Sequence, residues 1–106
     1  MQVTYLSLAV WDIAQIQSNI ATNNPDTAKQ IGKRLTQIIN QLSILPNLGK
    51  PGRVFGTREL ITPKIGKTAY IIVYRIKSER VEILPVLSGM RNIEQILDED
   101  FPEEEN

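Results

Sequence analysis

The chain has 106 residues, carries 12 Lys and Arg against 12 Asp and Glu, and contains neither His nor Cys. This length suits one domain with a hydrophobic core of its own. Without Cys there is no disulfide framework, and without His as well a zinc site lacks its usual ligands. We therefore expect no metal, no cofactor and a reducing cytoplasm. The sequence shows no signal peptide and no apolar run of about 20 residues, so we expect no membrane span.

The zero net charge hides a strong segregation of charge along the chain. Residues 1–97 hold 12 basic and 6 acidic groups, a net of +6, and the other six acids crowd into residues 98–106. We therefore predict a single domain over residues 1–97 and a disordered acidic tail over residues 98–106. A basic domain indicates an anionic partner, such as nucleic acid or an acidic polypeptide, although a polarised solvated surface also fits the charge alone.

The first half of the chain predicts one short strand followed by two helices. Residues 3–6 alternate and contain β-formers, and Ser7 can then cap a helix whose apolar residues recur at helical spacing. The stretch Asn24-Pro25-Asp26 is a strong signal for the start of a second helix. Its apolar seam runs over residues 28–45 and ends before Pro46. Two amphipathic helices with a short link predict an antiparallel hairpin.

The second half predicts a sheet. Residues 48–56 are rich in Gly and read as a loop, but they lack the Gly-Lys-Ser/Thr of a phosphate-binding loop. Three extended segments follow, joined by turns that suit antiparallel hairpins: residues 58–62, 69–76 and 81–87. Pro85 predicts an unpaired or bulged position in the last strand, and residues 92–97 predict a weak helix. The order indicates an α+β two-layer fold, with the N-terminal strand and the helical hairpin packed on an antiparallel sheet that ends in a three-stranded meander.

Basic and aromatic residues of the second half are the candidates for binding a target or a nucleic acid. They are Lys50, Arg53, Lys67, Tyr70, Tyr74 and Arg75. The two tyrosines share one face of their strand and Arg75 lies on the other, but the alternation does not say which face meets the helices. A basic face with exposed tyrosines suits phosphate contacts and base stacking; buried tyrosines with solubilising arginines are the alternative. We expect Glu59 and Glu82 to be surface charges.

Three segments, LGKPGRVFGTREL, YIIVYRI and ILPVLSGMR, together resemble the RelE/ParE superfamily of toxins from type II toxin–antitoxin systems. The resemblance covers about residues 3–92, and the NPDTA helix start and the GTREL strand are typical of its ParE-like branch. It implies a small α+β toxin that binds an acidic or amphipathic segment of a cognate antitoxin. RelE-like members cleave messenger RNA in the ribosomal A site, whereas ParE-like members inhibit DNA gyrase. Growth inhibition and plasmid stabilisation are the functions implied.

The resemblance also suggests residues for a nuclease site. Cleavage of RNA needs a base for the 2′-hydroxyl, a cation for the phosphorane and an acid for the leaving oxygen. In nuclease members, lysines lie on the first strand of the meander, and Arg58 lies close to their position in this sequence. Arg91 matches the arginine that follows the last strand in those members. Lys64 or Lys67 would have to supply the base. If the chain is an enzyme, its catalytic candidates are therefore Arg58, Lys64 and Arg91.

Other positions depart from the nuclease pattern. Ile71 lies where the arginine of the central strand is expected. The C-terminal tyrosine is missing, and Leu97 lies about where it would be. Ser88 lies near the position at which other nuclease branches have a histidine. These departures favour a ParE-like gyrase inhibitor. A ribosome-dependent mRNA endoribonuclease and a decayed member that acts only as a binding module are the alternatives. A homodimer and a toxin–antitoxin hetero-oligomer both stay open.

Overall fold

The computed structural model describes residues 1–89, so Arg91, the helix predicted at 92–97 and the acidic segment 98–106 lie outside the described residues. In chain order the elements are β1 (Gln2–Tyr5), α1 (Ser7–Ala21), α2 (Pro25–Asn40), β2 (Lys50–Pro51), β3 (Arg58–Ile61), β4 (Tyr70–Lys77) and β5 (Arg80–Ser88), with one 3₁₀ turn at Gln41–Ser43. The predicted α+β fold is confirmed, because both helices pack against one face of a five-stranded sheet.

Helix α1 begins directly after the first strand and has no side-chain cap. Its N-cap is Leu6 in an extended conformation, so the cap predicted at Ser7 is wrong by one position. The N–H of Leu6 donates to the carbonyl of Ile83 at 3.0 Å, and its own carbonyl accepts from the N–H of Val10 at 3.1 Å. The last hydrogen bond between β1 and β5 therefore fixes where α1 starts.

Helix α2 starts where the sequence predicts. The side chain of Asn24 accepts a hydrogen bond from the N–H of Thr27 at 3.2 Å, and Pro25 occupies the first helical position, where no N–H is needed. The predicted apolar seam is correct as far as Leu42, which is buried, but Leu45 is 54% exposed. The chain changes to a 3₁₀ turn after Asn40, and the shorter period rotates the later residues away from the core.

The two helices are joined closely through one side chain. The Gln17 amide donates to the carbonyl of Ala28 at 3.1 Å, and its nitrogen occupies the space that a Cβ on Gly32 would need. Gly32 thus makes room for a polar bridge between α1 and α2. Within residues 1–89, neither helix is long and apolar enough to cross a bilayer.

The sheet has the order β1-β5-β4-β3-β2 and is mixed. Strands β2 to β5 pair in antiparallel fashion, as predicted, but β1 runs parallel to β5, with Gln2 opposite Arg80 and Tyr5 opposite Ile83. The helical hairpin provides the long connection that parallel pairing requires. The loop predicted over residues 48–56 contains the two-residue edge strand β2, which ends at a proline.

The irregularity predicted at Pro85 is confirmed. The register between β4 and β5 shifts between Ile72 and Tyr74, because Ile72 pairs with Val86 whereas Tyr74 pairs with Ile83. Strand β1 has ended at this level, so the N–H of Val86 needs another acceptor. The carboxylate of Asp12 on α1 supplies it at 3.0 Å, and this bond ties the helix to the bulged strand.

Both faces of the central strands are buried. Tyr70, Ile72 and Tyr74 of β4 belong to the core beneath the helices. Ile71 and Val73 belong to a second apolar cluster on the opposite face. We call that opposite side the open face, because the helices do not cover it.

The turn between β4 and β5 places two non-glycine residues in a strained backbone conformation, and a substitution can test this strain. Ser78 and Glu79 form a two-residue hairpin loop with φ of +52° and +64°, a conformation that suits Asn and Gly. We expect Glu79→Gly to raise the free energy of unfolding by about 1 kcal/mol, because a side chain in the left-handed region costs about that much. Urea unfolding measures the change. The matched variant Glu79→Ala keeps the Cβ and should give no gain; an equal gain would assign the effect to the lost charge.

Candidate binding surface

Charged side chains that the sequence places on separate strands meet on the open face. Glu59 of β3 lies opposite Val73 of β4, and Arg75 of β4 lies opposite Glu82 of β5. Val73 and Arg75 are two residues apart and so share a face of the sheet. Val73 is itself fully buried. The open face therefore carries two arginine–glutamate clusters beside an apolar centre.

The first cluster joins Arg75, Arg80 and Glu82. The Glu82 carboxylate accepts from Arg75 Nε at 2.7 Å with one oxygen and from Arg80 Nε at 3.1 Å with the other. Glu82 is only 5% exposed. Burial by itself raises the pKa of this carboxyl, but the hydrogen bonds and positive charges of Arg75 and Arg80 together lower the pKa below its ordinary value. Glu82 is thus an ionised anchor that holds two guanidinium groups in place.

The second cluster joins Glu59 and Arg53. One oxygen of the Glu59 carboxylate accepts from the backbone N–H of Arg53 at 2.9 Å, and the other lies 3.4 Å from Arg53 Nε, an ion pair without hydrogen-bond geometry. Lys50 is exposed and lies opposite Glu59 in the edge pair. Since Glu59 is 2% exposed, the expectation that Glu59 and Glu82 are surface charges is wrong. Both carboxylates are buried, and their pairing with arginine side chains offsets the cost of taking them out of water.

Arg58 and Tyr74 lock the loop that precedes β2. Arg58 Nε donates to the carbonyl of Gly49 at 2.9 Å, and a terminal nitrogen donates to the carbonyl of Asn47 at 3.3 Å. The Tyr74 hydroxyl donates to the carbonyl of Pro46 at 2.7 Å and accepts from the N–H of Gly49 at 2.8 Å. The guanidinium of Arg58 is therefore engaged with backbone carbonyls.

The two candidate tyrosines do not lie on the surface. Tyr70 is 3% exposed and Tyr74 is 0% exposed, and both rings belong to the core beneath the helices. Their spacing predicts correctly that they share a face, but only the tertiary structure shows that this face meets the helices. Neither ring is available to stack on a base.

The lysine candidates lie at the far end of β3. Lys67 is exposed in the turn closed by the Ile65–Thr68 bridge, and Lys64 is exposed directly before that turn. Arg58 opens β3 and Lys64 lies beyond its end, so the four-residue strand separates them by about 10 Å or more. The structure does not bring these two catalytic candidates together, and the third, Arg91, lies outside the described residues. Over residues 1–89 there is no group of three His, Cys, Asp or Glu that suits a metal ion.

A shallow apolar depression lies at the sheet edge beside the start of β2, where β3 extends past this short strand, a feature that no sequence pattern indicates. Its volume is about 220 Å³. It is lined by Leu48, Gly49, Lys50, Glu59, Leu60 and Ile61. Leu48 and Ile61 are about half exposed. Apolar side chains beside Lys50 suit a polypeptide segment that carries both apolar and acidic residues.

Sequence reasoning missed Arg80, although a usable signal was present. Arg80 and Glu82 are two residues apart on β5, so they share a face, and the two-residue turn aligns Glu82 with Arg75 on β4. Opposite charges directly across an antiparallel pair attract each other. Once the hairpin register is assigned, the cluster of two arginines and one glutamate follows from the sequence.

The loop lock leads to a stability prediction. Tyr74→Phe removes the hydroxyl and leaves the N–H of Gly49 and the carbonyl of Pro46 without their partner, so we expect a loss of about 1–3 kcal/mol in the free energy of unfolding. Urea unfolding measures it. Tyr70→Phe is the matched control, because it removes a hydroxyl from the same core. An equal loss in both variants would contradict a specific role for the Tyr74 hydroxyl.

The Glu82 cluster leads to a prediction about pH. Because its folded-state pKa is lowered, Glu82 stabilises the fold above the ordinary carboxyl pKa of 4.5, and this contribution is lost as the pH falls through the folded value. We expect Glu82→Gln to lose about 1–3 kcal/mol at neutral pH and less in acid. Urea unfolding across pH, with the exposed Glu79→Gln as control, measures the difference. An equal loss at every pH would assign the effect to packing.

Comparison with known proteins places this architecture in a family. Residues 3–93 match the family described as the ParE toxin of type II toxin–antitoxin system, parDE. A relative from Sinorhizobium fredii, named "Putative toxin Y4kP", is 37% identical over 83 residues, which are 78% of this chain and 82% of that protein. A solved structure described as the chromosomal ParDE TA system from P. aeruginosa shares the fold, with a TM-score of 0.72 at 18% identity over 85% of this chain and 97% of that chain. Because the family match spans most of the chain, this protein belongs to the ParE toxin family of type II toxin–antitoxin systems.

Proposed function

We propose that this toxin arrests growth by inhibiting DNA gyrase in the cytoplasm and that a cognate antitoxin neutralises it. The observation that carries the proposal is the match to the ParE toxin family over residues 3–93. Inhibition of gyrase is the activity that the resemblance to the ParE-like branch implies. On this proposal the protein acts by binding its target, and no catalytic site of its own is needed.

The geometry of the candidate residues supports binding over RNA cleavage. Arg58 donates to the carbonyls of Gly49 and Asn47, an arrangement that stabilises the loop. Lys64 lies at the opposite end of β3, and Ile71 stands where nuclease members of the superfamily are expected to have an arginine. A general base and a phosphate-binding cation must stand within hydrogen-bond reach of one phosphodiester, and Arg58 and Lys64 do not.

Charge supports a partner that is partly acidic. Residues 1–89 contain 11 Lys and Arg against 5 Asp and Glu, and two of the acids, Glu59 and Glu82, are buried against arginines. The described residues therefore carry a net charge of +6 (11 minus 5), and neither of these two carboxylates is exposed to a partner. Together with the apolar depression at Leu48 and Ile61, this surface suits an acidic amphipathic segment of an antitoxin.

Pulse-labelling after induced expression tests the proposed target. We expect thymidine incorporation to fall several-fold before methionine incorporation changes, and co-expression of the cognate antitoxin to prevent the fall. Lys64→Ala should keep full toxicity, because Lys64 is exposed in the connection between β3 and β4 and is assigned a role only in a nuclease. In a purified system, the wild-type protein and Lys64→Ala should inhibit supercoiling by gyrase equally well.

Two other results would each overturn the proposal. An early fall in methionine incorporation, with transcripts cleaved in wild type but intact in Lys64→Ala and Arg91→Ala, would establish a ribosome-dependent nuclease. If cells that contain the folded protein continue to grow, the protein is a family member that acts only as a binding module.

A further inference from the structure

The loop between β2 and β3 presents an aromatic ring to solvent. We define the tip as residues 52–57. Phe55 lies at its centre and is 102% exposed, so its ring contacts nothing else in the protein. The neighbouring Val54 turns the other way and packs against the apolar cluster of the open face. A single large apolar side chain therefore projects from an otherwise anchored loop.

Hydrogen bonds hold the tip in one shape. The N–H of Gly52 donates to the carbonyl of Thr57 at 2.8 Å, and the carbonyl of Val54 accepts from both the N–H and the hydroxyl of Thr57, at 3.1 and 2.7 Å. Gly56 takes a φ of +86°, which turns the chain back sharply. The tip is thus ordered before any partner arrives, and little conformational entropy is lost when Phe55 binds.

Basic residues precede and follow the tip along the chain. Residues 46–59 contain three basic residues, Lys50, Arg53 and Arg58, and a single acid, Glu59. That acid is 2% exposed and bound to Arg53, whose side chain remains 39% exposed. Lys50 lies opposite Glu59 and is exposed as well. A partner that approaches Phe55 therefore meets cations and no exposed carboxylate of this segment.

We propose that the tip binds DNA, with Phe55 stacking on a base at an opened or flexible step while Lys50 and Arg53 contact the flanking phosphates. If Phe55 entered a pocket on a protein partner, we would expect other apolar side chains next to Phe55, because hot-spot residues are surrounded by packed contacts that exclude water. The tip offers one aromatic ring among cations. A base with phosphates on both sides has the complementary pattern. The inference goes beyond inhibition of gyrase and does not depend on it.

Fluorescence anisotropy with two labelled duplexes of one sequence tests the inference. One duplex is intact and the other lacks a single nucleotide, so that neighbouring bases can be reached. We expect the wild-type chain at low salt to bind the gapped duplex at least about fivefold more tightly, since stacking of one base on an aromatic side chain is worth that much or more. Phe55→Ala should abolish the preference, and Phe55→Trp should keep it.

Control variants separate stacking from charge and from folding. Lys50→Ala should weaken binding to both duplexes and reduce the slope of log affinity against log salt by about 0.9, as expected for one lost phosphate contact. Ile44→Ala removes another exposed apolar side chain, 81% exposed, and should change neither affinity. Because Phe55 contacts nothing in the fold, its variants should unfold at the same urea concentration as wild type.

Three outcomes would overturn the inference. The first is wild-type protein that binds neither duplex at low salt. The second is Phe55→Ala binding both duplexes as wild type does. The third is Phe55→Ala with normal DNA binding but weakened association with purified gyrase or antitoxin, which would assign the tip to a protein partner. Since the binding assay contains no gyrase, failure of the proposed target leaves this test unaffected.

Discussion

The fold depends on the burial of the β4–β5 pair on both of its faces. Tyr74 and Ile83 pack beneath the helices, and Val73 and Leu84 pack on the open face, all between 0% and 1% exposed. At about 25 cal/mol per Å² of apolar surface, such burial is the main favourable term in a domain of this size. A strand pair that is dry on both sides leaves no room for solvated catalytic groups at its centre. Polar groups with a role in binding are therefore confined to strand ends, edges and loops.

Carboxylates next to the apolar sheet bind the polar and charged groups that lie beside it. Asp12 accepts the N–H that the bulge at Pro85 leaves without a strand partner. Glu59 holds the loop and the side chain of Arg53, and Glu82 holds two further arginines. A carboxylate out of water is costly unless it is paired and hydrogen-bonded. These acids thus have structural roles, and the basic side chains stay at the surface in fixed positions.

Among residues 1–89, the candidate nuclease residue Arg58 has a structural role, which it shares with Tyr74. The hydroxyl of Tyr74 and the guanidinium of Arg58 satisfy backbone groups of residues 46–49, a segment without helix or strand hydrogen bonds of its own. Once the loop is held in this way, the adjoining segment is rigid enough to present Phe55 and the apolar depression beside Lys50. A small rigid surface of this kind suits the binding of a partner.

The sequence by itself determined helices α1 and α2, the strands β1, β3, β4 and β5, the bulge at Pro85 and the family, because these follow from local periodicity, from capping chemistry and from ordered motifs. It did not indicate β2, which lies in a stretch predicted as a loop. Only the tertiary structure decided which face of β4 meets the helices. Tyr70 and Tyr74 alternate with residues that are equally apolar, so the pattern has no polar side from which to assign solvent. The parallel pairing of β1 with β5 depends on a contact between segments distant in the chain, which local sequence does not record. The burial of Glu59 and Glu82 and the exposure of Phe55 depend on what packs around each side chain in the folded protein, and charge or apolarity of a single residue does not decide that.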